Sequence, residues 1–461
     1  MSDDIKGRKS IIAGAHGEIT DVSEFNLFVL PNLRACGTCP YCFALEGRSI
    51  PSTIQQTISI PVGERLKDIY FCGLLKKRLF FIMLNRRSLR IKVMQNLFAL
   101  QQCKDANYEL CFEKIHETFQ PDLNSMETQD KPLLNSQKKE ARKVFEKAFE
   151  ASETSVDHAD PAVKKVVNEC FNFYDKQSKK DTEFFGKNLV GEVEKIYTHY
   201  IAVLYLIPAF SEIAAADKKV SHKNLVNNGW IKGLVDSAAL KKDALKHGKT
   251  WQDKADRVKV WFRDVIRQDN EYLNYIDKKN PTIEDQRKFI NHLFKKVILG
   301  KSVINEYFEE EVLRWAEDKD IVKGLVEKTV KSYDPQAALP LGLHTLSVNW
   351  EDDKDFIERL YEKAAHLEPK YKALVAANTR NWEVERLPLT DRMIIEMAIA
   401  EMLIFPGIPV KVSMNEYIEL AKVYSTPKSR QFINGILDVI AKELKDSGAM
   451  KKSGRGLIDN K

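Results

Sequence analysis

The stretch "IPVKVSMNEYIELAKVYSTPKSRQFINGILDVIAKEL", residues 408–444, decides the fold. Its apolar residues recur at helical spacing twice over. Tyr417, Leu420, Ala421 and Tyr424 mark one helix, and Phe432, Ile433, Ile436, Leu437 and Ile440 mark a second. Thr426 before Pro427 is a helix-start signal, because the threonine oxygen can accept an orphan amide and proline suits the first turn. Ser413 and Glu416 have capping-box spacing, which predicts a helix start at Ser413. Asn434–Gly435 would ordinarily signal a turn. Inside so periodic a pattern, Gly435 reads instead as a point of close helix contact.

Working upstream, "LPLTDRMIIEMAIAEMLIFPGIP" predicts a helix from about Asp391, with Thr390 as its N-cap. Met393, Ile394, Met397, Ala398 and Glu401 make a wide stripe, so this helix should be central. Pro406 and Gly407 end it. Far upstream, "MLNRRSLRIKVMQNLFALQ" begins at Met83 and reads like the opening of a protein. Leu89, Val93, Leu97 and Leu100 lie on one helix face. Lys- and Glu-rich helical texture continues to about residue 445, with few strand-like alternations, so the fold class is all-α. Loops are expected at Gln120–Ser136, Ser152–Pro161, His247–Asp253, Lys278–Ile283 and Tyr333–Leu343. The tail from Ser447 is Gly-rich and basic and is expected to be disordered.

The chain of 461 residues has room for about three domains. A net charge of +6 is small for this size, so only local clusters of base argue for nucleic acid. The most apolar run, Ile201–Phe210, is well short of the roughly 20 residues of a membrane span and contains Pro208, which predicts a buried helix. All seven cysteines lie before residue 171 without an even framework, which fits a reducing compartment. Cys36, Cys39 and Cys42 have C-x2-C-x2-C spacing, but no fourth ligand is evident: Cys72 is remote, and His16 is the only histidine before His116. No metal is assigned. The "GKT" at Gly248–Thr250 has Asp243 where a phosphate loop needs glycine. No other catalytic motif is present. The chain is therefore read as a non-enzyme with no cofactor and no catalytic residue.

One chemical feature stands out. Arg86, Arg87 and Arg90, with Lys92 beside them, crowd the first turns of a helix. Arg86 and Arg90 are one turn apart and share a face. Guanidinium groups there can fork onto phosphates and stack on bases. Cations at a helix N-terminus oppose its dipole, at a cost of about 0.3–1 kcal/mol each, which an anionic partner would offset. A solvated basic face is the other reading.

Taken together, these segments resemble the transcription antitermination factor NusB family. "NRRSLRIKVMQNLFALQ" is similar to its N-terminal arginine-rich helix and "NWEVERLPLTDRMIIEMAIAEML" to its central helix. The 408–444 stretch is similar to its C-terminal pair, with N-E-x-I-E-L-A-K and F-[VI]-N-G-[VI]-L-D intact. Similarity covers roughly 83–102 and 350–446. The long segment between, with "FINHLFKKVI" and "LRWAEDKDIVKGLVEKTVKSYD", resembles the enlarged middle of members from the Bacteroidetes. The organisation so implied is an extension over 1–82, an arginine-rich helix over 83–106, an enlarged helical middle over 107–349, a C-terminal helical domain over 350–446 and a basic tail over 447–461. Members of this kind start at a Met just before the arginines, so Met83 is expected to be the natural start.

The resemblance implies an all-helical, cytoplasmic, non-catalytic RNA-binding protein. It would bind boxA-like single-stranded RNA, chiefly in ribosomal RNA transcripts, with a small-subunit ribosomal protein acting as NusE. Through that complex it would join RNA polymerase and other Nus factors and suppress termination. No membrane is involved. Carried over by position, Arg86, Arg87 and Arg90 match the basic motif, with Ser88 where a further base is usual, and Lys92 lies alongside. Phe98 falls where a tyrosine is common. Phe432 matches an aromatic near the RNA surface, next to Ser429, Arg430 and Gln431. Core packing is the alternative for Phe98 and Phe432. Asn434, Gly435 and Asp438 are expected to hold the fold.

Two departures concern the protein partner. Pro427 and Lys428 stand before Ser429 where relatives have an acid. Glu396, Met397, Ala398, Ala400 and Glu401 replace "LR-x-A-x-YEL", leaving Glu401 as the expected contact. Two other classes stay open. One is a helical protein–protein adapter without RNA binding. The other is an RNA-binding relative of ribosomal RNA methyltransferases, although no glycine-rich methyl-donor site follows.

Overall fold

In a computed structural model, residues 84–122, 128–337, 339–378 and 387–460 are described. Met83, Cys36, Cys39, Cys42 and the rest of 1–82 lie outside the described residues. Every regular element among the described residues is helical, as the periodicity predicts. In chain order the α-helices are α1 (Arg86–Thr118), α2 (Lys131–Glu150), α3 (Pro161–Ala216), α4 (Lys223–Val226), α5 (Gly229–Asp236), α6 (Ala238–Lys246), α7 (Ala255–Trp261) and α8 (Asn270–Ile276). They continue as α9 (Ile283–His292), α10 (Ser302–Glu311), α11 (Trp315–Ser332), α12 (Trp350–Ala365), α13 (Pro369–Asn378), α14 (Leu389–Ile404), α15 (Val410–Tyr424) and α16 (Pro427–Asp446). The expected loops fall between helices, except that Lys131–Ser136 already belongs to α2. Asp130 explains that early start: its side chain accepts the Leu133 amide at 3.0 Å, and Pro132 sits in the first turn.

Two units are distinct, and they do not follow the expected linear boundaries. Among the described residues, the first contains Ile91–Leu189 and the chain from Ile357 onward; the second contains Val190–Phe356 and residues 84–90. The expected middle segment is thus divided between them.

In the first unit, α1, α2 and the start of α3 share a core of Cys111, Ile115, Phe119, Phe145, Val167 and Phe171 with their neighbours. Each such fully buried apolar side chain contributes about 1.5–3 kcal/mol. α14 is central as predicted: it packs on α13, α15 and α16 and buries Met393 through Met402 apart from Glu396. Three local readings are corrected. α14 starts at Leu389, so Thr390 lies inside its first turn. α15 starts at Val410 with Pro409 at the N-cap position, so Ser413 is no cap; it is fully buried and donates to Glu401. Gly435 makes no close contact: a Cβ there would meet nothing within 4 Å.

The tail is also ordered where disorder is expected. Ser453 N–H donates to the Pro406 carbonyl at 3.0 Å, and Lys452 Nζ to the Phe405 carbonyl at 3.1 Å. Gly456 is required there, because a Cβ would lie 2.0 Å from the Pro406 oxygen. The compositional reading counted glycines and missed this close approach.

The second unit is built from short helices around aromatic side chains. Trp251, Trp261, Tyr307, Phe308 and Trp315 stack or meet edge-to-face with centroids between 4.6 and 6.1 Å. Tyr200 OH and Thr329 Oγ1 are 2.6 Å apart, and Trp230 Nε1 donates to the Val330 carbonyl at 2.9 Å. These bonds let large amphipathic rings be buried without orphaned polar atoms. α3 is long and apolar enough to cross a membrane by length and composition, yet 67% of its apolar window is buried in the protein. The apolar run around Ile201–Phe210 is a core helix, as expected.

Candidate nucleic-acid interface

Two helix starts carry the expected site residues. The first is α1. Asn85 sits at its N-cap: its Oδ1 accepts from the Ser88 amide at 2.9 Å and from Ser88 Oγ at 3.3 Å. The cap went unrecognised in the sequence, although an asparagine directly before a helical run is its ordinary signal. Arg86 and Arg87 are exposed, whereas Arg90 is only 3% exposed. Arg86 and Arg90 do share a face. Both guanidinium groups lie over the Phe356 ring, 4.8 and 5.2 Å from its centroid, and Arg86 Nε is 3.5 Å from Asp353 Oδ1. Cation–π contact and a carboxylate therefore occupy two of the three expected phosphate-binding groups.

Burial corrects two further assignments. Lys92 is 3% exposed and Phe98 is 7% exposed, so neither presents a surface to RNA. Both lie on the apolar face of α1 with Leu89, Val93 and Leu97, and for Phe98 core packing wins.

The second helix start is α16. Thr426 is its N-cap, accepting from the Ser429 amide at 3.2 Å, with Pro427 in the first turn as read from the sequence. The hydroxyl of Ser429 lies 2.9 Å from Thr426 Oγ1 and so serves the cap. Lys428, Arg430 and Gln431 are exposed, Phe432 is half-buried, and the first turn holds no acidic side chain. Neither Lys428 nor Arg430 makes an ion pair among the described residues. Exposed cations, amide dipoles and an aromatic edge together suit an anionic, base-bearing ligand. Asn434, Gly435 and Asp438 are exposed on the same helix rather than buried in the fold.

Glu401 is corrected as a surface contact. It is fully buried, and its two oxygens accept from Ser413 Oγ at 2.7 Å and Tyr417 OH at 2.9 Å. It ties α14 to α15. The apparent survival of one acid from the partner-contact pattern is explained by this internal role.

The comparisons bear on the second helix start. The NusB family model matches residues 337–442. Over 85 residues, 18% of this chain, the chain is 51% identical to the transcription antitermination protein NusB of Chloroherpeton thalassium, covering 40% of that protein. It is 46% identical over 85 residues to the NusB protein of Salinibacter ruber, covering 53% of it, and 48% identical over 66 residues to that of Natranaerobius thermophilus, covering 48%. The chain thus spans about half the length of these curated relatives. No solved structure matches. α1 and its arginines lie outside the residues of the family match, whereas the start of α16 lies inside it. Residues 337–442 thus match the NusB family within a longer chain.

Proposed function

We propose that the chain is a transcription antitermination factor. It binds boxA-like single-stranded RNA together with a small-subunit ribosomal protein acting as NusE, and through that complex meets RNA polymerase and other Nus factors. Ribosomal RNA transcripts are its chief setting and the cytoplasm its location. The observation that carries this reading is the NusB-family domain, whose relatives bear the name transcription antitermination protein, with the open cationic start of α16 inside it. Lys428, Arg430 and Gln431 meet phosphates, and the half-buried Phe432 offers an edge for stacking. The function needs binding, not catalysis.

The test is fluorescence anisotropy of the full chain with a boxA-like RNA, with and without the ribosomal protein, across a salt series. Affinity should rise with the partner and fall with salt. Lys428→Glu with Arg430→Glu should weaken it at least tenfold, about 1.4 kcal/mol, since each reversal removes a phosphate contact and adds repulsion. Unchanged affinity in that variant would remove the α16 start from the interface, and no RNA binding in any condition would favour the protein-only adapter.

A further inference from the structure

Some exposed lysines in this chain have carboxylate partners: Lys278 with Asp285 at 2.8 Å, Lys370 with Glu368 at 2.8 Å and, at the start of α3, Lys164 with Asp157 at 2.6 Å. Other lysines of the first half of α3 do not. Lys165, Lys176, Lys179 and Lys180 are exposed and make no ion pair among the described residues. Lys187, further along, is exposed and lies 3.4 Å from Glu183. At 3.6 residues per turn these five lysines fall within roughly 100° of arc along about 33 Å of helix. Glu183 and the half-buried Glu169 are the acids sharing that stripe. Lys176 stands three and four residues before Lys179 and Lys180, and like charges so spaced weaken an isolated helix, so that cluster is not a stability device.

Two aromatic rings border the stripe on one side, three turns apart. Phe184 is 53% exposed, with Phe185 edge-on at 5.5 Å. Phe173 is half-buried, one side of it packed on the core that contains Phe145 and Phe171, with Lys114 Nζ 5.8 Å from its centroid. A large exposed ring costs hydration without a packing return, and beside unpaired cations it offers a face on which a base can stack.

We propose that this face of α3 is a second RNA track: the lysines hold the sugar–phosphate backbone of single-stranded RNA, and Phe184 and Phe173 stack its bases without reading sequence. It lies outside the NusB-family match, so it is a property of the enlarged part of the chain. Charge complementarity alone would also admit an acidic protein. The aromatic margin favours RNA, because stacking needs a planar partner. The inference rests on the RNA-binding reading but uses different residues.

The experiment compares the full chain with Lys176→Glu/Lys179→Glu/Lys180→Glu, with Phe184→Ala, and with a charge-matched control, Lys241→Glu/Lys242→Glu/Lys246→Glu. Two probes are used: the boxA-like element alone, about ten nucleotides, and the same element extended with mixed single-stranded sequence to about 30 nucleotides. The α3 variant should lose at least tenfold affinity for the long probe and keep its affinity for the short one. Its log–log salt slope on the long probe should flatten by about 2, near 0.7 per lost phosphate contact. Phe184→Ala should lose several-fold on the long probe with the slope unchanged. Equal losses in the α3 variant and the control would show a net-charge effect and overturn the track. Unchanged long-probe affinity, or binding of polyglutamate but not RNA to α3, would overturn it too. If the chain does not bind the short probe in any condition while the α3 variant loses the long probe, the antitermination reading fails and the track stands.

Discussion

The starts of α1 and α16 look alike in sequence: each has a capping residue, a burst of base and an aromatic within reach. Their structures differ. At α1, Arg90 is buried and shares the Phe356 ring with Arg86, which also meets Asp353. At α16, Lys428 and Arg430 stand in solvent with no acid in the first turn. The first set of charges is partly consumed by the fold, and the second is available to a ligand. Counting basic residues cannot tell these cases apart; what decides is whether the charged head has a partner that its burial requires.

The sharpest way to break that distinction is Glu401, the most completely internal charge in the NusB-family domain. If a buried acid is structural here, Glu401→Ala removes the acceptor shared by Ser413 Oγ and Tyr417 OH and should cost about 3–5 kcal/mol in denaturant unfolding. A loss below about 1 kcal/mol would mean that the α14–α15 tie is not what holds this pair.

His199 extends the same argument to the second unit. Burial, with Lys249 adding repulsion, lowers its pKa from 6.5 to about 4. It packs edge-on to Phe308 and Trp315. The folded protein therefore holds the neutral ring, and unfolding releases a group that takes a proton more readily. The stability this gives is complete above about pH 6.5 and is lost as pH falls towards 4, at about 3 kcal/mol across that window. In His199→Phe this component of the pH dependence should disappear. An unchanged acid slope would assign the acid sensitivity to other groups.

Arg90→Ala should come next, at about 2 kcal/mol, from lost cation–π contact and lost packing of the aliphatic stem. Arg87→Ala, on the exposed side of the same turn, should stay within about 0.5 kcal/mol. Equal costs would mean that burial does not separate Arg90 from Arg87.

Much of the fold was legible because helical period and proline or glycine punctuation are local signals. α16 was readable from Thr426 onward, α14 was recognised as central, and the Ile201–Phe210 run as a core helix. What escaped was long-range. Ser413 has capping-box spacing with Glu416, yet its hydroxyl is used by a glutamate one helix away. The glycine-rich tail docks because Gly456 fits against the Pro406 carbonyl, a contact between residues 50 positions apart in the chain. At the candidate site, the residue types pointed to base and aromatic chemistry. Which of them face outward is decided by the apolar face of α1, which also takes in Lys92 and Phe98. The α3 stripe was missed because its lysines are separated by up to eleven positions and do not form a run.

The smallest effect tests the most tempting local misreading. Gly435 lies in the middle of α16, in ordinary helical conformation, with open space where a Cβ would be. A glycine kept for close helix contact would reject alanine through steric strain. In the observed environment, alanine meets nothing and restricts the unfolded chain, so Gly435→Ala should stabilise the protein by about 0.5–1 kcal/mol. The same variant carries information about binding, because Gly435 lies on the helix that starts with the exposed cations. A gain in stability with RNA affinity unchanged would leave the glycine without a contact role. A gain in stability with RNA affinity reduced would mean that the ligand approaches the α16 backbone where a methyl group obstructs it, extending the interface beyond the helix start. A loss of stability would restore the close-contact reading and place a neighbour against that face of α16.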